Sequence, residues 1–201
     1  MALQNKLGLT DEAALARAEE KISKTKALAL YDTGLLDTFP VGTFEGLAKI
    51  HGYLFGDIYE FAGQMRTVNI AKGNFRFAPV MYLRAALDSI DAMPQSTFDE
   101  IIEKYVEMNV AHPFREGNGR STRIWLDAIL KKELHQVIDW SRVDKSDYLL
   151  AMERSPVKDV EIKALLRAAL TDRITDRLVY RKGIDASYHY EGYHVFRTAE
   201  L

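Results

Sequence analysis

Between Thr97 and Leu134 the sequence prescribes a helix, an enforced stop, a glycine turn and a second helix, and this order constrains the fold more than any other feature. Thr97 and Glu100 form a T-x-x-E capping box ahead of Phe98, Ile101, Ile102, Tyr105 and Val106, whose spacing predicts a helix to about Ala111. Pro113 disfavours helical geometry at His112 and ends it. Gly117-Asn118-Gly119 then turns tightly into a helix predicted from about Arg120 to Leu134. Helical periodicity extends well beyond this pair. Thr10 before Asp11 and Glu12 reads as a capped helix start, and Phe44, Leu47, Ile50 and Leu54 recur at three- and four-residue spacing. Further helices are predicted over 144–154 and, as one long element, from Val157 to about Arg181, with Gly183 as its stop.

One stretch departs from this pattern. Arg66-Thr67-Val68-Asn69-Ile70 and Phe75-Arg76-Phe77 alternate about Ala71-Lys72-Gly73-Asn74, which predicts a short β-hairpin. A lone hairpin is marginal in water, so it packs on the helices or serves as a mobile element, with an edge that an extended peptide can join. The expected class is all-α, a helical bundle with one short β-hairpin flap. With 201 residues and no repeat or linker, the chain fits one compact unit. Lys and Arg number 27 against 29 Asp and Glu, so no global basic field exists to hold nucleic acid or an anionic membrane. Cysteine is absent, which excludes disulfides, thiolate nucleophiles and Cys-ligated zinc. The segment Met1 to Asp11 lacks a secretory pattern and no apolar run reaches membrane-spanning length, so a cytoplasmic protein is expected.

The chemistry concentrates between His112 and Arg123. Gly117, Asn118 and Gly119 offer successive backbone N–H groups at a helix start, where the dipole also favours an anion. Arg120 and Arg123, three apart, offer two forked donors suited to phosphate oxygens. Glu116 is a hard carboxylate suited to Mg²⁺, and His112 is a base near neutrality at a helix end. Phe114 reads as a buried anchor, and Arg115, Arg120 and Arg123 against Glu116 as a small basic pocket in a near-neutral protein. Taken singly, a histidine is more often structural and Gly-Asn-Gly is usually a turn; together these residues point to phosphate or nucleotide chemistry. The second histidine of H-E-x-x-H is missing, which disfavours a metalloprotease.

His112-Pro113-Phe114-Arg115-Glu116-Gly117-Asn118-Gly119-Arg120-Ser121-Thr122-Arg123 resembles the H-P-F-x-[D/E]-G-N-G-R-x-x-R signature of Fic-domain adenylyltransferases, matching at every defining position. Tyr59 to Gly63 and Arg66 to Phe77 are similar to that family's lead-in and flap. The resemblance covers roughly residues 45 to 155. It implies transfer of AMP from ATP to a Tyr, Thr or Ser hydroxyl of a target protein, releasing pyrophosphate. His112 would be the general base, Glu116 would hold Mg²⁺, Gly117, Asn118 and Gly119 would form the anion hole, and Arg120 and Arg123 would meet the β- and γ-phosphates. Lys72 at the flap tip and Asn109, three residues before His112, join the nucleotide-binding candidates. Transfer of another phosphate-containing group by the same residues, and a non-catalytic nucleotide-binding module, remain alternatives.

Ser187-Tyr188-His189-Tyr190-Glu191-Gly192 resembles the [S/T]-x-x-x-E-[G/N] inhibitory motif of these proteins, in the subclass that carries it at the C-terminus of the same chain. Ser187 and Glu191 lie four apart and so share a helix face. The resemblance implies that Glu191 pairs with Arg123, that residues 1–182 form the catalytic domain and that 183–201 form the inhibitory segment. Tyr188 is the first candidate for self-modification once that segment is released. An inhibitory helix also offers a place for homo-oligomer assembly to control activity, and a type II topoisomerase subunit is a target class by resemblance alone.

Overall fold

The computed structural model describes residues 2–73 and 75–201; Met1 and Asn74, the last residue of the expected hairpin turn, lie outside the described residues. The chain folds as a helical bundle of α1 (Glu12–Asp32), α2 (Phe44–Phe55), α3 (Val80–Asp91), α4 (Phe98–Ala111), α5 (Asn118–Leu134), α6 (Lys145–Arg154), α7 (Val160–Ala168) and α8 (Arg177–Tyr190). Two small antiparallel pairs accompany the helices: β1 (Ala71–Lys72) with β2 (Phe75–Arg76), and β3 (Val137–Ile138) with β4 (Leu170–Thr171).

The expected capping box closes on both sides. Glu100 N–H donates to Thr97 Oγ1 at 3.3 Å, and Glu100 Oε2 accepts from Thr97 N–H at 3.0 Å. α5 begins two residues earlier than expected and is buried on nearly all sides, packing on α2, α4 and α8. That makes it the central element. Its Trp125 is fully buried and donates Nε1–H to Thr43 O at 3.0 Å, tying α5 to the start of α2.

Four local expectations are corrected. Asp11, not Thr10, caps α1, accepting Ala14 N–H at 2.7 Å. Residues 66–70 form no strand: the ladder holds only Ala71↔Arg76 and Lys72↔Phe75. Arg66 explains this, because its buried guanidinium donates to the carbonyls of Val68, Ala78, Ala111 and His112, tying the flap base to the end of α4. The long helix over 157–181 is in fact α7 and α8, separated by β4. Leu170 and Thr171 leave the helical path to pair with β3, and Asp176 caps a new helix by accepting Leu178 N–H at 2.8 Å. Gly183 is therefore no stop but lies inside α8, where a Cβ would stand 3.3 Å from Trp140 Cδ1. The expected division at 182/183 falls within α8.

Candidate active site

α4 ends by placing His112 in the left-handed region, φ 48°, a conformation that costs a non-glycine residue on the order of 1 kcal/mol or more. Pro113 disfavours the right-handed alternative. Arg66 Nε donates to His112 O at 2.8 Å and Arg66 N–H donates to Pro113 O at 2.8 Å, which holds the turn. The imidazole stacks on Phe77 of the flap, 3.6 Å between centroids. Its Nδ1 lies 3.3 Å from Asn109 O. A carbonyl only accepts, so this contact requires the proton on Nδ1 and leaves Nε2 as the free base. Burial lowers the pKa of His112 to about 4, with Arg66 and Lys72 adding to the effect, so the ring is neutral at physiological pH.

Beyond Phe114, which is fully buried, the loop closes on itself. Asn118 Oδ1 accepts Phe114 N–H at 2.8 Å and Asn118 Nδ2 donates to Phe114 O at 2.7 Å. The Asn118 side chain is thus a structural clip, while the N–H groups of Asn118, Gly119 and Arg120, in the first turn of α5, have no intrahelical acceptor. Gly117 sits at φ 79° with Phe55 Cε2 only 2.5 Å from where a Cβ would be, so neither its backbone nor its surroundings admit a side chain. Glu116 is half-exposed; its Oε1 accepts from Gly117 N–H at 2.9 Å and from Arg120 Nη2 at 3.2 Å. Its second oxygen makes no hydrogen bond among the described residues.

The two arginines are buried and already engaged. Arg123 Nε donates to Ser187 Oγ at 2.7 Å, and its Nη2 donates to Ser187 O at 2.9 Å and to Glu191 Oε1 at 2.8 Å. Burial alone would raise the Glu191 carboxyl, but the charge and hydrogen bonds of Arg123, helped by Lys72 and Arg120, bring it down to about 2. Lys72 Nζ lies 3.5 Å from Glu191 Oε2. The Glu191 carboxylate presses against the glycine turn, since a Cβ on Gly119 would lie 2.2 Å from Glu191 Oε1. Gly192 follows at φ 89°, a left-handed residue that ends α8. Arg115 is exposed and takes no part, which corrects the expected three-arginine pocket. Tyr188 is fully buried, with its hydroxyl donating to Ser23 Oγ at 2.7 Å, so it is out of reach while α8 is docked.

Sequence reasoning missed two residues that build the site. Glu19 of α1 is buried against Arg120, with Arg120 Nη1 at 2.5 Å in a charge pair not aligned as a hydrogen bond. It also accepts from Tyr59 Oη and, at 2.9 Å, from Tyr193 Oη. Burial would raise its carboxyl, yet Arg120 and these hydroxyls hold it low. His51 of α2, fully buried, accepts Gly63 N–H on Nδ1 at 2.9 Å, which puts its proton on Nε2, donated to Glu116 O at 2.7 Å. It stacks on Phe114 at 3.8 Å, and burial lowers its pKa to about 3. The available signal was a histidine within the apolar stripe of Leu47, Ile50 and Leu54.

The described residues contain no cluster of three metal-ligating side chains. One half-exposed carboxylate beside an anion cradle suits a Mg²⁺ that arrives with phosphate oxygens and keeps its waters, rather than one caged by protein.

Residues 42–130 match the Fic/DOC family model. The protein adenylyltransferase VbhT of Bartonella schoenbuchensis is 32% identical over 88% of this chain, which spans only 39% of that protein's length. The probable protein adenylyltransferase y4lH of Sinorhizobium fredii is 28% identical over 76% of this chain and 82% of its own. Among solved structures, BepC of Bartonella tribocorum with bound AMPPNP superposes with a TM-score of 0.68 at 18% identity, covering 85% of this chain and 93% of that one. That likeness shows the shared fold.

Proposed function

We propose, on the premise that this chain carries a Fic/DOC-family domain in residues 42–130, that it is a protein adenylyltransferase held inactive by its own α8. The observation that carries this reading is the Glu191 carboxylate on Arg123, set against Gly119 at the mouth of the cradle. An inorganic phosphate group there would meet the same donors. Two anions do not share one arginine and one helix start, so Glu191 and the terminal phosphate of ATP compete.

With Glu191 withdrawn, the N–H groups of 118–120 and the side chain of Arg123 bind the triphosphate and fix its orientation, with Arg120 beside them. His112 Nε2 takes the proton from a target hydroxyl as that oxygen attacks the α-phosphorus, and pyrophosphate leaves. Glu116 would hold Mg²⁺, which supplies charge neutralisation on the phosphate oxygens. The flap, anchored by Arg66 and stacked through Phe77 on His112, places an extended target segment beside the base. The relatives' names as adenylyltransferases and the bound AMPPNP of BepC support this reading.

The test uses Glu191→Gly protein throughout, in which α8 no longer occupies Arg123, with ATP labelled at the α-phosphate and γ-labelled ATP as the control. Protein-bound α-label that disappears in His112→Ala, with nucleotide binding retained by calorimetry, is the expected result. Transfer of γ-label instead, or α-label undiminished in His112→Ala, contradicts it.

A further inference from the structure

A separate cavity of about 750 Å³ opens between α5, α8 and the end of α1. Its lining includes none of His112, Glu116, Gly119 or Glu191 and meets the candidate active site only at Arg123 and Ser187. Its volume lies in the range of small-molecule sites, roughly 300–1,000 Å³. Asp127 of α5 lines it. Asp127 Oδ1 accepts Ile138 N–H at 2.9 Å and Oδ2 accepts Trp140 Nε1–H at 2.8 Å. Both donors are neutral, and no cation pairs with Asp127 among the described residues. The other carboxylates of the lining are matched: Asp32 by Arg177, Asp37 by Lys131 and Asp176 by Arg173. Lys132 and His135 also line the cavity but are exposed.

A half-buried carboxylate with only neutral donors has no compensating cation, and desolvation accordingly raises the Asp127 carboxyl to about 7 against the pull of its two hydrogen bonds. The lining is mixed, with Arg123 and Lys131 flanking Asp127 along α5, and its apolar wall is Trp140, Ile184, Val179 and the ring of Tyr180, which stacks on Tyr31 at 4.4 Å. A ligand that satisfies both features carries one positive charge and a compact hydrophobic body.

We propose that this cavity binds a small amphipathic amine, its ammonium against Asp127 and its aromatic body beside Trp140 and Ile184. Such a ligand touches α8 at Ile184 and Ser187, behind the contact that Ser187 makes with Arg123. The pairing of one charge with an apolar wall discriminates by sign, because an anion of the same shape meets Asp127 unfavourably.

Isothermal calorimetry of the full chain with tryptamine, and with indole-3-acetate as the same body of opposite charge, tests this. Tryptamine is expected to bind saturably, one per chain, and indole-3-acetate at least about tenfold more weakly, the loss of one charge-assisted contact. Asp127→Asn is expected to lose the tryptamine site. Ala128→Met, which fills the cavity from α5 without touching Asp127, is expected to lose it as well and carries the test if the first variant does not fold. Absence of saturable tryptamine binding to the parent, equal binding of indole-3-acetate, or undiminished binding by a folded variant overturns the proposal.

Discussion

His51 shows how a residue with no part in the chemistry shapes the site. It reaches Glu116 through the backbone, Phe114 through its ring and Gly63 through its second nitrogen, so three segments meet on one neutral imidazole. Its folded pKa of about 3 lies below the ordinary 6.5. A depressed value means the unfolded chain binds the proton first, so the stability His51 contributes is complete above pH 6.5 and is lost as pH falls from there toward 3. We predict that the unfolding free energy from urea titration falls between pH 7 and pH 5, by up to about 1.4 kcal/mol per pH unit for this group, with lower midpoints, and that His51→Gln flattens the slope while lowering stability at neutrality. Midpoints independent of pH across that window would contradict this. Glu191 behaves differently, since its carboxyl at about 2 keeps it charged far below that range, and mild acid leaves its pair with Arg123 intact. The candidate metal-holding glutamate, the histidine base and the arginines were legible residue by residue because one contiguous segment held them. Glu19 and His51 were not, because burial alone distinguishes a site-building glutamate or histidine from a surface one, and burial is a tertiary fact.

Among elements, α1 and the chain after α8 form a clasp beside the proposed inhibitory contact. Glu20 Oε2 and Oε1 accept Val195 and Phe196 N–H at 3.1 Å each, and Lys24 pairs with Glu20 at 3.0 Å. Removing that carboxylate leaves two backbone donors of the tail without their acceptor and takes one partner from buried Lys24, which keeps Asp185 and Phe196 O; the tail is the part free to leave. Glu20→Ala should therefore speed hydrogen exchange of the amides of 194–198 while α4 and α5 stay protected. Unchanged exchange in the tail would show that the clasp is incidental. α4 was readable to its last residue because capping box and proline are local chemistry. α7 and α8 were read as one helix because the break at Leu170–Thr171 is imposed by pairing with β3, far away in sequence, and because Gly183 serves close packing on Trp140 rather than termination. The flap was read too long for a similar reason: Arg66 takes the Val68 carbonyl and ties residues 66–68 to Ala78 and the end of α4 instead of to a partner strand.

At the scale of the whole molecule, both ends of the chain converge on one central helix. α1 brings Glu19 to Arg120 and α8 brings Ser187 and Glu191 to Arg123, so both buried arginines of α5 are charge-compensated within the chain. No helix among the described residues is long and apolar enough to cross a membrane. The central claim is that α8 restrains AMP transfer through Glu191. It is tested most directly by incorporation of α-labelled AMP into protein in cell lysate, comparing the parent with Glu191→Gly at equal concentration. Losing a charge-assisted contact of about 1.5–3 kcal/mol predicts a rise of roughly tenfold to a hundredfold, abolished when His112→Ala is added. Equal incorporation by parent and Glu191→Gly would contradict the account.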